Sequence, residues 1–268
     1  MRKKGLWSIM KDETVYWILI IILSFFFLYL TTIGVSHGLL LAVGILNLLL
    51  LETWFIRIFI LFSGRKISQY SEVIQRISFK ERVFDYFVFP TIFLATFMLY
   101  LYFNKDIVMS YWIIVLCMTV LFVLFINVKS SLKRVYKLTS LTKGIFSFVC
   151  ILTFYLSVNV ILRFDINIWI KLIVSGILAL LMFLSELQLH DRFTISSFFI
   201  SLLSSLFVAL SIGIFVYQSI FIATAIGTVG FYVIIGLWNT RFSGKYKFID
   251  YLSPLLYGTI ALILIFNL

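Results

Sequence analysis

The sequence predicts an all-α integral membrane protein, a polytopic bundle of about nine transmembrane helices. Three observations predict this. First, 63% of the 268 residues are apolar and only 12% are charged, whereas soluble domains run at about 45–50% and about 25%. Second, the apolar residues fall in runs of about 20, the length that crosses a hydrocarbon core of about 30 Å. Third, Lys and Arg collect in alternate loops. Water-soluble, disordered, collagen-like and coiled-coil classes are excluded.

The runs cover 15–35, 38–62, 84–103, 107–128, 144–162, 166–187, 194–217, 219–239 and 250–267, one membrane-embedded domain over 1–268. The first follows Arg2, Lys3, Lys4 and Lys11, as a signal peptide's apolar region would. It is too long for that region and lacks a small-x-small cleavage site, so it is expected to be a retained span. Between the second and third runs, Ile67, Tyr70, Ile74 and Ile77 share one helical face with Arg65, Lys66, Lys80 and Arg82 at the flanks. That pattern predicts an amphipathic helix lying at the cytoplasmic interface. Ser78 and Glu81 form a capping box that starts the third span's helix near Phe79, and Pro90 is expected to kink it. In the ninth run, Ser253 and Pro254 read as an N-cap and a first helical residue. A helix starting there has 15 residues, about 22 Å, so the run is expected either to start near Ile249 and bend at Pro254 or to be re-entrant.

With the N-terminus inside, the segments 1–14, 63–83, 129–143, 188–193 and 240–249 hold 18 of the 22 Lys and Arg. The positive-inside rule then predicts N-in and C-out, in a plasma or inner membrane. The net charge of +11 thereby points to anionic lipids at the cytoplasmic face and not to nucleic acid. Cys117 and Cys150 fall inside apolar runs, so they read as small hydrophobes and not as a disulfide framework.

Few residues interrupt the apolar pattern, and these are the candidate sites. Glu52 lies near the middle of the second span, with Asn47 five residues before it and Arg57 five after. An ionisable group there is costly unless it is paired, protonated or facing water. Glu186, His190 and Asp191 cluster at the end of the sixth span. Glu186 and His190 share a helix face, but a metal site needs a third protein ligand and none has a readable spacing. A solvated helix end is therefore expected, with no metal or other cofactor. In the seventh span Ser197, Ser201, Ser205, Ala209 and Gly213 recur every four residues, and Ser219, Ala223 and Gly227 continue the pattern in the eighth. Small residues at that spacing let helix backbones approach closely, so a helix–helix seam is expected.

Gly34-Val35-Ser36-His37-Gly38 matches G-x-S-x-G, but that hydrolase motif needs a strand–turn–helix context. Here it joins two spans, so it reads as a tight turn. No P-loop, H-E-x-x-H or C-x-x-C occurs, and no catalytic residue is assigned.

The span count, orientation and cytoplasmic loops after the second and sixth spans are similar to the layout of the UbiA-type prenyltransferases. That resemblance implies two Asp-rich motifs holding magnesium diphosphate in those loops. This chain offers Glu72, Glu81 and Asp85, then Glu186 and Asp191, at other spacings, so a diphosphate–magnesium site lacks its ligands and the activity does not carry over. Three functional expectations follow. The first is a non-enzymatic binding or assembly component, in a homo- or hetero-oligomer held by the small-residue seams. The second is a small-solute or lipid transporter using Glu52 and Asn47. The third is a lipid-modifying enzyme at the cytoplasmic face using Glu186, His190 and Asp191.

Overall fold

A computed structural model describes residues 6–62, 87–133, 140–189, 194–242 and 248–267. The expected amphipathic segment and the helix start near Phe79 lie outside the described residues, as do Asp85, His190 and Asp191. Among the described residues there are nine helices: α1 (Leu6–Ile33), α2 (His37–Phe62), α3 (Phe89–Phe103), α4 (Ile107–Lys133), α5 (Ser140–Arg163), α6 (Ile168–Leu189), α7 (Ile195–Phe215), α8 (Ile220–Phe242) and α9 (Phe248–Asn267). Eight are long and apolar enough to cross a membrane, and α3 is shorter at 15 residues. The chain is a multi-pass membrane protein. It divides into two compact units, Met1–Thr142 and Lys143–Leu268.

The two prolines sit differently in their helices. Pro90 sits in the first turn of α3, directly after a π-helical turn at Phe87 and Val88. In the last run the helix begins at Phe248, beside the start near Ile249 that was one of the two expectations, and Pro254 lies inside it. Ser253 is therefore not a cap. The 20 residues of α9 reach about 30 Å, the thickness of a bilayer core.

In the first unit the tight turn predicted from the glycines ends α1. Gly34 has φ +74°, and the Val35 N–H reaches back to the Leu30 carbonyl at 3.3 Å, the 6→1 bond of a Schellman motif. The Asp106 carboxylate caps α4 by accepting from the Met109 N–H at 3.1 Å. All four helices pack together, and Phe93, Leu94, Phe97 and Leu101 of α3 are fully buried. Trp54 of α2 stacks on Phe125 of α4 with ring centroids 3.8 Å apart.

In the second unit Phe231 of α8 is the centre of the core. It stacks on Phe154 of α5 and meets Phe183 of α6, each at 4.6 Å between centroids. Successive helices α6 to α9 pack as neighbours. Thr194 and Ser197 form a capping box at the start of α7. At the far end of α5 the Lys171 ammonium donates to the Leu162 carbonyl at 3.0 Å, satisfying one of the acceptors a helix end leaves open. The opposite face of α7 exposes Phe199, Leu203, Phe207, Leu210 and Ile214, an apolar stripe that suits lipid and not water.

Candidate functional site

The polar residues of the first unit do not converge. Asn47 is completely buried, and its amide donates to the Ser24 hydroxyl at 3.1 Å and the Met98 sulfur at 3.5 Å. Its Oδ1 has no hydrogen-bond partner. Glu52 is half-buried and accepts from the Thr91 hydroxyl. Arg57 lies over the ring of Tyr16, 5.7 Å from its centroid, a cation–π arrangement. Each of the three is thus held by its own partners from other helices. Their five-residue spacing puts them on different faces of α2.

The second unit differs, and here the expectation of a solvated Glu186 is overturned. Glu186 is only 1% exposed, because it lies on the inward face of α6 and not on the face that meets solvent. The Ser147 hydroxyl of α5 donates to its carboxylate. The Asn239 amide of α8 in turn donates to the Ser147 oxygen at 3.4 Å. Asn239 to Ser147 to Glu186 is therefore a directed line of donors ending on a carboxylate, built from three helices at one end of the unit.

Asn239 also lines a polar recess of about 420 Å³ between α8 and α9. Tyr232, Thr240, Asp250 and Ser253 supply its other polar groups, and Gly236 and Pro254 form its inner wall. Gly236 is needed there, since a Cβ at that position would lie 2.6 Å from the Pro254 Cβ. The recess joins hydroxyls, an amide and a carboxylate, and through Asn239 it communicates with buried Glu186. The groups that line the recess can orient a polar or charged ligand by hydrogen bonds.

The small residues of α7 and α8 occupy a different region. Ser201, Ser205, Ala209 and Ala223 are buried, as is Gly227. A Cβ on Gly227 would come 2.4 Å from Ile212 Cγ1, and one on Gly213 would come 3.0 Å from Leu172 Cδ1. Ser219 starts α8 by accepting at its carbonyl from the Ala223 N–H at 2.9 Å. Ser197 is part of the cap of α7, and its hydroxyl donates to the Thr194 carbonyl at 2.7 Å.

Ser147, Asn239 and Asp250 were missed as site residues. Ser147 is one serine in an apolar run, and Asn239 and Asp250 flank a basic loop where polar residues are ordinary. Their meaning comes from three helix ends that converge, which spacing within one helix does not encode. Among the described residues no three His, Cys, Asp or Glu side chains gather as metal ligands.

The fold and site define a multi-pass membrane protein with a buried carboxylate under a polar recess. No family model, no curated protein and no solved structure matches this chain.

Proposed function

We propose that this chain is a non-enzymatic binding or transport protein of the membrane. In this reading its second unit takes a small polar solute, or the polar head of a lipid, in the recess between α8 and α9. The carrying observation is the line from Asn239 through Ser147 to Glu186. A carboxylate buried in an apolar bundle costs several kcal/mol unless it is fully compensated, and such groups in membrane proteins mark substrate and proton pathways. The α7–α8 stripe favours the assembly reading less, because Gly213 and Gly227 face Leu172 and Ile212 of the same unit. Asn47, Glu52 and Arg57, with separate partners, favour a first-unit pathway less.

The same reading takes the chain as N-in and C-out. The recess, at the α8 end and α9 start, then opens on the cytoplasmic side, the side of Arg241 in the last turn of α8. The test is water access to the recess. Thr240→Cys and Ser253→Cys, in a background with Cys117 and Cys150 replaced by Ala, are expected to react with a membrane-impermeant maleimide in inside-out vesicles. They are expected to stay unlabelled in right-side-out vesicles. Absence of labelling from either side would remove the proposal.

A further inference from the structure

A second cavity, in the first unit, has the opposite character. It is an open groove of about 430 Å³ along α1, α2 and α3, walled by apolar side chains except at one end where His37 and Tyr102 stand. Along α2 it runs from His37 to Leu48, about 16 Å at the helical rise. The slot exists because its walls are small at two points. Gly44 leaves its nearest neighbour, Phe27, 3.9 Å from where a Cβ would be, and Ala95 faces the slot from α3. The polar end has a defined geometry: the Tyr102 hydroxyl and His37 Nδ1 are 3.4 Å apart, and their rings meet edge-on. His37 begins α2 and Tyr102 is one residue from the end of α3, so both stand where two apolar helices leave the membrane. Exposed Lys105 follows on the next loop, while the adjacent Asp106 carboxylate is occupied in capping α4.

We infer that this slot binds one hydrocarbon chain of a membrane phospholipid, with the phosphate head held at His37 and Tyr102. A long, narrow apolar slot parallel to the helices fits an extended chain and leaves no polar wall for a compact solute. The polar end lies at head-group depth, where amphipathic rings settle in membrane proteins. Beyond the hydrogen bond between the two rings, the His37–Tyr102 pair keeps an N–H or O–H to donate, which complements a phosphate oxygen and not a free hydrocarbon. The inference is independent of the recess in the second unit.

The test uses the full chain in nanodiscs of phosphatidylethanolamine and phosphatidylglycerol, doped with a phospholipid carrying a diazirine on one acyl chain. Photolysis is expected to concentrate labelling on peptides spanning 37–48 and 95–102, and Ala95→Phe, which fills the slot, is expected to reduce that labelling about tenfold, equivalent to about 1.4 kcal/mol of binding. Gly44→Leu fills it from the opposite wall and is expected to give the same loss, which covers the case that Ala95→Phe does not fold. His37→Ala combined with Tyr102→Phe leaves the slot open, and is expected to reduce labelling by the phospholipid while sparing that by a diazirine-labelled hydrocarbon without a head group. Labelling spread evenly over the lipid-facing helices, or unchanged when either folded filling variant is tested, overturns the inference. Equal loss of phospholipid and hydrocarbon labelling in the head-group variant overturns the assignment of the phosphate.

Discussion

The Ser147 hydroxyl of α5 donates to the Glu186 carboxylate of α6, and both side chains are withdrawn from the surface. A donor and an acceptor buried together depend on each other, because either one left alone in an apolar bundle keeps its full desolvation cost. Glu186→Gln retains an oxygen that accepts from Ser147, so it is expected to melt close to the parent protein. Glu186→Leu removes the acceptor and is expected to lose about 1–3 kcal/mol, the usual cost of a stranded buried polar group. Thermal melting of the purified variants in detergent gives both values. Equal stability of the Leu and Gln variants would show that the line of donors does not contribute to holding the helices.

The contact of Gly227 with Ile212 allows no side chain. A methyl group built on Gly227 would lie 2.4 Å from Ile212 Cγ1, inside any real contact, whereas one on Gly213 would lie 3.0 Å from the far end of Leu172, which can turn away. Overpacking of this kind costs about 1–3 kcal/mol. Gly227→Ala is therefore expected to destabilise more than Gly213→Ala. Ile212→Ala is expected to recover much of the Gly227→Ala loss, since residues in direct contact couple. A double-mutant cycle by thermal melting measures the coupling. Additive losses would place the strain elsewhere.

Asn47 poses the opposite case. It is fully buried, but its Oδ1 has no partner and its amide reaches only a hydroxyl and a thioether. The Ser24 hydroxyl already donates to the Ile20 carbonyl at 2.8 Å, so it keeps a partner when Asn47 is removed. Side-chain hydrogen bonds inside membrane proteins are worth about 0.6 kcal/mol on average. Asn47→Leu is accordingly expected to change stability by less than about 1 kcal/mol. A larger loss in the melting temperature would mean that Asn47 binds a group the isolated chain does not contain.

The helices were legible because their signal is local. Apolar runs of membrane length end at turn and charge signals such as Gly34 and Asp106, and the structure places helix ends there. Boundaries set by more than local signals were legible only as alternatives. Ser253 and Pro254 left two starts open for the last helix, and α9 takes the earlier one at Phe248, with Gly236 on α8 leaving space for the proline ring. The site was legible only in part. Glu186 stood out as an ionisable residue at a helix end, but its burial depends on Ser147 and Asn239 arriving from two other helices. Glu52 stood out more sharply by depth, and among the described residues the structure pairs it with the Thr91 hydroxyl. A sequence shows how unusual a polar residue is within its own helix, whereas the partners that make it a site come from other helices.

The Gly236–Pro254 contact also bears on the path of the chain. A proline inside a helix removes one backbone hydrogen bond, and Pro254 lies against α8 at the point where Gly236 lacks a side chain. Further along, Gly258 lies against Val233, where a Cβ would come 2.4 Å from Val233 Cγ2. Two such contacts, at residues 254 and 258, hold α9 along α8, so α9 is expected to cross the membrane with α8 as its neighbour. Given N-in and nine crossings, with α3 among them, the C-terminus is expected outside. A C-terminal alkaline phosphatase fusion is expected to be active and a green fluorescent protein fusion dark. Gly236→Leu, which drives a side chain into Pro254, is expected to weaken the seating of α9 and lower the phosphatase signal. A bright fluorescent fusion to the unmodified chain would instead mean that α9 turns back before reaching the far side.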